Sequence, residues 1–211
     1  MDYIELKSSE VIKYFKNKKI VGKGYYGILY EYDINTLIKL YYKEYYQSYI
    51  SKKVISFNKD ILYNIKKMYL NCDFNRDNRI IELSGRLSNT SSNNLIKAIV
   101  TNKKYRIGIL EEYYKEYENL DSIIYDLPLE KRKYVIDKIK DIISELFFYG
   151  IYPLDIKEDN FLINDNLDVK IIDLDGEDVS LGDKNYILAH PYIEKMQQNK
   201  IIEMEYRLLR H

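Results

Sequence analysis

Apolar and polar positions run along this chain with two periods, and each change of period marks an element. Residues 8–16, SSEVIKYFK, carry a helical pattern that Ser8 or Ser9 is placed to cap. From Ile20 to Tyr42 the period shortens to two. The runs IVGKG, ILYEY and TLIKLYY are separated by glycines and by Asp33-Ile34-Asn35, which predicts three strands over 18–42. Residues 43–70 return to helical spacing through Tyr46, Ile50, Val54, Ile61, Ile65 and Met68, with Ser56 or Asn58 as an internal cap. The next stretch predicts a polar turn at NCDFNRDNR, a short strand at Ile80–Leu83 and a loop at Ser88–Asn94. LIKAIV and YRIGIL read as two more strands around a turn at Thr101–Lys104, and residues 119–126 as a short helix. Over 129–149, Val135, Ile139, Ile142, Ile143 and Leu146 share one face of a long helix that Gly150 ends. Beyond it FLI and VKII flank the turn Asn164-Asp165-Asn166 and form a hairpin.

Strands and helices in this order give an α+β chain. Its 211 residues, with no internal repeat and no long linker, fit one domain over 1–211. The 33 basic and 33 acidic residues cancel, which argues against a partner held by bulk charge such as nucleic acid. The single cysteine, Cys72, excludes an internal disulfide and points to a reducing compartment. No apolar run is long enough for a membrane span, and MDYIELKSSEVIKYF lacks the core of a signal peptide. The expected location is therefore cytoplasmic, in the cell of origin or in a host. The 24 tyrosines serve as amphipathic core and surface residues. His190, His211 and Cys72 stand in no metal-ligand spacing and read as bystanders.

Two segments carry chemistry. In YGIYPLDIKEDNFLINDNLDVKIIDLDG, Asp155, Lys157 and Asn160 fall on one tight loop, and the hairpin returns Asp173 beside it. Two carboxylates, an amide and an amine converging there suit a divalent cation and a phosphate. In IVGKGYYGILYEYDINTLIK, Gly22, Gly24 and Gly27 form G-x-G-x-x-G and Leu29 takes the apolar place that follows. Here the glycines join strand to strand, whereas a dinucleotide fold would open a helix. Lys39 alternates in phase with Leu37, so the two share a strand face, and a lysine turned inward needs an anionic partner.

Taken in order, these segments resemble the protein kinase superfamily: glycine-rich loop, strand lysine, long helix, a D-I-K-x-x-N loop in the place of HRDxKxxN, and a metal aspartate. The likeness covers residues 18 to 190. It is nearest to minimal serine/threonine kinases with a reduced C-lobe, such as those some bacterial pathogens inject into host cells. It implies a bilobal fold, with a five-stranded antiparallel sheet and one helix in an N-lobe over about 1–112, and a reduced, mostly helical C-lobe over about 113–211. It implies ATP and Mg²⁺ as cofactors and a protein substrate, with a partner that completes the short C-lobe.

By position, the resemblance makes Asp155 the catalytic acceptor of the hydroxyl proton and Lys157 the group that steadies the phosphoryl. Asn160 and Asp173 become the metal ligands. Gly22, Gly24, Gly27, Leu29 and Lys39 are assigned to the nucleotide. Glu111, Glu112 and Tyr113 open the hinge, Glu111–Asn119, that carries adenine. Asp60 is preferred over Glu44 as the acid paired with Lys39, and Asp175 is a second accessory acid. The chain departs from the pattern in two places. Pro153-Leu154 replaces the His-Arg before the catalytic aspartate, so no arginine is there to read a phosphorylated activation loop. Asp173-Leu174-Asp175 replaces DFG, with Gly176 one place later, and the extra carboxylate, Asp175, resembles the second acid of small-molecule kinases of the aminoglycoside phosphotransferase type. A pseudokinase acting as a binding module and a small-molecule kinase are the alternatives.

Overall fold

In the computed structural model, residues 1–24, 27–41, 74–91, 96–102, 105–176 and 178–210 are described. They fall into two units, Met1–Ile81 with Ile96–Tyr113, and Glu82–Leu95 with Tyr114–His211. Asp60 and Glu44, the two acids proposed for Lys39, lie outside the described residues, as do the expected helix over 43–70, Cys72 and His211.

The first unit is built on a six-stranded mixed sheet. In chain order its strands are β1 (Asp2–Glu5), β2 (Ile20–Lys23), β3 (Gly27–Asp33), β4 (Thr36–Tyr41), β5 (Ile96–Asn102) and β6 (Tyr105–Glu112), and across the sheet they run β1-β5-β6-β4-β3-β2. The expectation of five antiparallel strands is corrected by β1, which pairs parallel with β5, Asp2 opposite Ala98. Its four residues sit at an edge with only Ile4 half-buried, so the local pattern was faint. A parallel partner also lies far off in sequence, where no turn signal announces it. Beyond the strand, Leu6 N–H donates to Thr101 O at 2.8 Å and Asn102 Nδ2 donates to Leu6 O at 2.7 Å.

Helix α1 (Ser8–Asn17) covers one face of this sheet. Its cap position is Lys7, where Ser8 or Ser9 was expected, and the Glu10 carboxylate accepts the Lys7 backbone N–H at 2.7 Å. Val11 packs with Ile28, Tyr30, Ile38, Leu40, Val100 and Leu110. The β2–β3 and β3–β4 hairpins follow the predicted pattern. Gly27 is demanded by packing, because a Cβ there would overlap the Leu40 carbonyl on the neighbouring strand.

From residue 74 on, helix α2 (Phe74–Leu87) replaces the turn and strand expected there, and its residues divide between the units at Ile81 and Glu82. Ile80, Leu83 and Leu87 are fully buried at helical spacing while Ile81 is exposed. In the sequence the four residues IIEL were too few to separate a strand from a helix face.

The second unit is organised around α4 (Leu129–Phe148), which buries Val135, Ile136, Ile139, Ile142, Ile143 and Leu146. Before it come β7 (Glu118–Asn119), the short α3 (Leu120–Ile123), capped by the Asn119 side chain, and a 3₁₀ turn at Ile124–Asp126. After it come β8 (Ile151–Pro153), β9 (Phe161–Ile163), β10 (Val169–Ile171), β11 (Val179–Leu181), α5 (Lys184–Ala189) and α6 (Tyr192–Arg210). The strands form two small sheets, β10-β9-β7 and β11-β8.

The 19-residue α6 was not anticipated. It packs on α4 through Met204 and Leu208, both fully buried. Lys140 Nζ lies 2.8 Å from Glu205 Oε1, and Arg132 donates to the Leu208 carbonyl at 3.0 Å, a cation at the end of a helix where the dipole favours it. At the end of α4, Gly150 adopts φ +72°. There Arg86 Nη1 donates to the carbonyls of Tyr149, Gly150 and Gly182 at 3.0, 2.9 and 2.6 Å. One guanidinium thus gathers the end of α4 and the end of β11 at the entrance to β8.

Candidate functional site

The second unit brings together the loop residues singled out from the sequence. Strand β8 delivers the chain into the loop that carries Asp155, and a 3₁₀ turn, Glu158–Asn160, delivers it into β9. Ile156 is buried between the two polar residues Asp155 and Lys157, which anchors the loop from beneath. Asn160 Nδ2 donates to the Asp155 carbonyl at 2.7 Å and lies 3.5 Å from its carboxylate. Lys157 Nζ lies 2.8 Å from Asp155 Oδ2. The bond to Asp155 raises the Lys157 ammonium above its ordinary value against the effect of partial burial, and the charges of Asp155, Asp159 and Asp173 add to the rise. Lys157 is therefore a fixed cation, and Asp173 contributes to its field.

Asp173 reaches this place because the β9–β10 hairpin is short and tightly turned. Asn164 Oδ1 accepts the backbone N–H of Asn166 and of Asp168, each at 3.0 Å, which shapes the turn as its composition predicted. Phe161 stands opposite Ile171, and Ile172 N–H donates to the Asn160 carbonyl at 2.9 Å. Asp173 thus begins one residue beyond a direct backbone bond to Asn160. It holds φ +63°, a left-handed conformation that aspartate tolerates better than most residues and that persists only where the surroundings fix it. Asp173 is exposed, whereas Asp175 is 2% exposed and Leu174 between them is buried.

The donor set fits a magnesium ion. The bond from Nδ2 to Asp155 fixes the orientation of the Asn160 amide, so Oδ1 is its acceptor end. An amide oxygen and an exposed carboxylate are the few hard protein ligands that Mg²⁺ takes when phosphates and water supply the rest. Among the described residues no group of three or more His, Cys, Asp or Glu side chains is gathered to hold a metal without such help.

The residues assigned to the nucleotide belong to the first unit, and Asp155 belongs to the second. Lys39 is 3% exposed on β4, opposite Leu29 on β3 and Ile109 on β6. Leu37 shares its strand face and is also buried, as the alternation predicted. The three glycines divide in their roles. Gly27 is explained by the Leu40 carbonyl. Among the described residues, a Cβ at Gly22 would meet Leu29 Cδ1 at an ordinary 3.5 Å, and one at Gly24 would meet nothing within 4 Å. Neither has a positive φ. Glu111 and Glu112 are ladder residues of β6, opposite Leu37 and Thr36. Tyr113 N–H is taken by Asn35 O at 3.1 Å. Burial raises the Tyr113 hydroxyl above its ordinary value, and the Glu31 charge and hydrogen bond add to this.

Two flanking contacts were not anticipated. Glu158 is buried, and Arg207 of α6 donates to both its oxygens, Nε to Oε1 at 3.0 Å and Nη2 to Oε2 at 2.9 Å. Gln197 of α6, also buried, donates to the Pro153 carbonyl at 2.9 Å. The signal for the helix was present in Ile193, Ile201, Met204 and Leu208, but its partners across the loop leave no sequence trace. A separate cavity of about 420 Å³ between α4 and β10 is lined by Lys138, Asp141, Glu145, Asp168 and Lys170, and none of the sequence-predicted site residues touches it.

No protein-family model matches the chain, and no curated protein matches it.

Proposed function

We propose that this protein is a minimal ATP-dependent protein kinase of the kinase-like fold that transfers the γ-phosphoryl group to serine or threonine hydroxyls. The observation that carries the reading is the Asp155–Lys157–Asn160 constellation, with Asp173 tied to it through Ile172 N–H and the Asn160 carbonyl. In it the Asp155 carboxylate, met by Lys157 at 2.8 Å and by Asn160 Nδ2 at 3.5 Å, is suited to orient and accept the hydroxyl proton, while Lys157 can turn toward a phosphate. Lys157, with its raised basicity, keeps its charge throughout and is suited to steady the transferring group. Its place two residues after Asp155 favours a protein hydroxyl as acceptor. Magnesium, bound through Asp173 and Asn160 Oδ1, would neutralise phosphate charge.

In the first unit Lys39, 3% exposed on β4, is the residue that the kinase-like order of motifs offers to nucleotide phosphates. The hinge assignment is narrower than the sequence suggested, because Tyr113 N–H is already committed and any backbone donor to adenine must lie elsewhere.

The test is transfer of γ-labelled phosphate from Mg-ATP in a mixture of cell proteins, followed by phosphoamino-acid analysis. Label on phosphoserine or phosphothreonine supports the reading. Label found only on small molecules moves the assignment to a small-molecule kinase, and no label with no nucleotide binding leaves a pseudokinase.

A further inference from the structure

The loop from Pro153 to Asn160 touches α6 at both of its ends. Gln197 Nε2 holds the carbonyl of Pro153, two residues before Asp155. Arg207 holds both oxygens of Glu158, two residues before Asn160. Ten residues of helix separate the two grips, about 15 Å along its axis at 1.5 Å per residue. The helix is itself fixed to α4, by the buried Met204 and Leu208, by Lys140 with Glu205 and by Arg132 at the Leu208 carbonyl.

The Arg207–Glu158 contact is unlike an ordinary surface ion pair. The Glu158 side chain is 9% exposed, and the guanidinium meets it with two near-parallel bonds. Glu158 also sits in a stretch rich in carboxylates, beside Asp155 and Asp159, where a further buried anion is disfavoured unless a cation is matched to it. Hydrogen bonding to Glu158 in turn raises the Arg207 guanidinium above its ordinary value.

We propose that α6 is a brace for the phosphotransfer loop, and that Arg207 and Gln197 are positioning residues that hold Asp155, Lys157 and Asn160 in their reacting geometry. The role in catalysis rests on the phosphotransfer reading. The brace itself does not.

The experiment compares wild type with Arg207→Gln, Arg207→Lys and the double variant Glu158→Gln with Arg207→Gln. The melting temperature of each variant is determined first, and steady-state phosphotransfer and amide hydrogen exchange are then measured well below it. In Arg207→Gln, kcat should fall about tenfold or more with KM for Mg-ATP changed less than about twofold, as expected when reacting groups lose alignment while ground-state binding is kept. Amides of 155–160 should exchange about tenfold faster while those of 136–143 in α4 keep their wild-type protection. Arg207→Lys should recover little, since an ammonium cannot reproduce the fork. The double variant should recover the melting temperature, because no buried carboxylate is stranded, but not kcat.

Restoration of kcat in the double variant would overturn the positioning role, and so would an unchanged kcat in Arg207→Gln. Should wild type transfer no phosphate, the phosphotransfer reading fails, and the brace is then judged by exchange alone. Faster exchange confined to 155–160 supports it, and unaltered protection overturns it.

Discussion

Replacing Gly150 by alanine should be among the most damaging single-methyl additions to this chain. Gly150 holds φ +72°, where an L-residue costs about 1–2 kcal/mol. The new Cβ would overlap both the Gly182 carbonyl oxygen and Arg86 Nη1, so one of them must move. Arg86 Nη1 serves three carbonyls at once, and Gly182 N–H donates to the Gly150 carbonyl at 3.0 Å. Losing one hydrogen bond to a charged group costs about 1.5–3 kcal/mol, and a neutral one about 1 kcal/mol. The sum is about 3–6 kcal/mol, which for a chain of this size lowers the melting temperature by about 6–24 °C. The control is Gly24→Ala, where the same methyl meets nothing within 4 Å among the described residues and the change should stay within about 0.5 kcal/mol. Urea or thermal denaturation of the two variants measures the contrast. A Gly150→Ala variant within about 1 kcal/mol of wild type would refute the reasoning, and with it the claim that Arg86 and Gly150 fix the entrance to β8 and the loop beyond.

Other outcomes follow from the same geometry. Mg-ATP should raise the melting temperature of wild type, and Asp173→Asn should remove the magnesium dependence of that rise, read by thermal shift with and without chelator. Burial works to raise Asp168, but hydrogen bonds from Tyr117 and Lys170 outweigh it and hold the carboxyl below its ordinary value. Because the folded value is the lower one, its contribution is present above the unfolded value near 4 and is lost as pH falls through the folded value. Tyr117→Phe should therefore narrow the gap between the melting temperatures at neutral pH and at about pH 3. On the kinase reading, Leu154 takes the place of a phosphate-reading arginine, and β11 pairs antiparallel with β8. Phosphatase-treated enzyme should accordingly keep its full rate, and a loss restored by rephosphorylation within 177–190 would show that the segment is a switch after all.

The parts of this structure that were legible in the sequence are those whose signals are local. The β9–β10 turn is written in Asn164, whose side chain accepts two backbone N–H groups, and the long helix is written in Val135, Ile139, Ile142 and Leu146. Lys39 and Leu37 could be placed on one strand face because alternation is a short-range rule. What stayed hidden depends on distant partners. Strand β1 is a strand only because Ala98–Thr101 lies beside it. Ile80–Leu83 reads as a strand until Leu87, one helical turn on, is counted with it. Glu158 reads as one more solvated acid in a polar loop, because nothing near it announces that Arg207, 49 residues on, will cover it. An acid to pair with Lys39 was expected at Asp60, in preference to Glu44, and neither belongs to the described residues.

The central claim is that Asp155 and its neighbours transfer phosphate. The most direct test is the rate of γ-phosphoryl transfer from Mg-ATP by wild type and by Asp155→Asn, a change that keeps the size of the side chain and removes its basicity. With a general base contributing about 10²–10⁴-fold, the account predicts a loss of at least about a hundredfold, with the Mg-ATP thermal shift retained. An Asp155→Asn variant that transfers phosphate at the wild-type rate would contradict it.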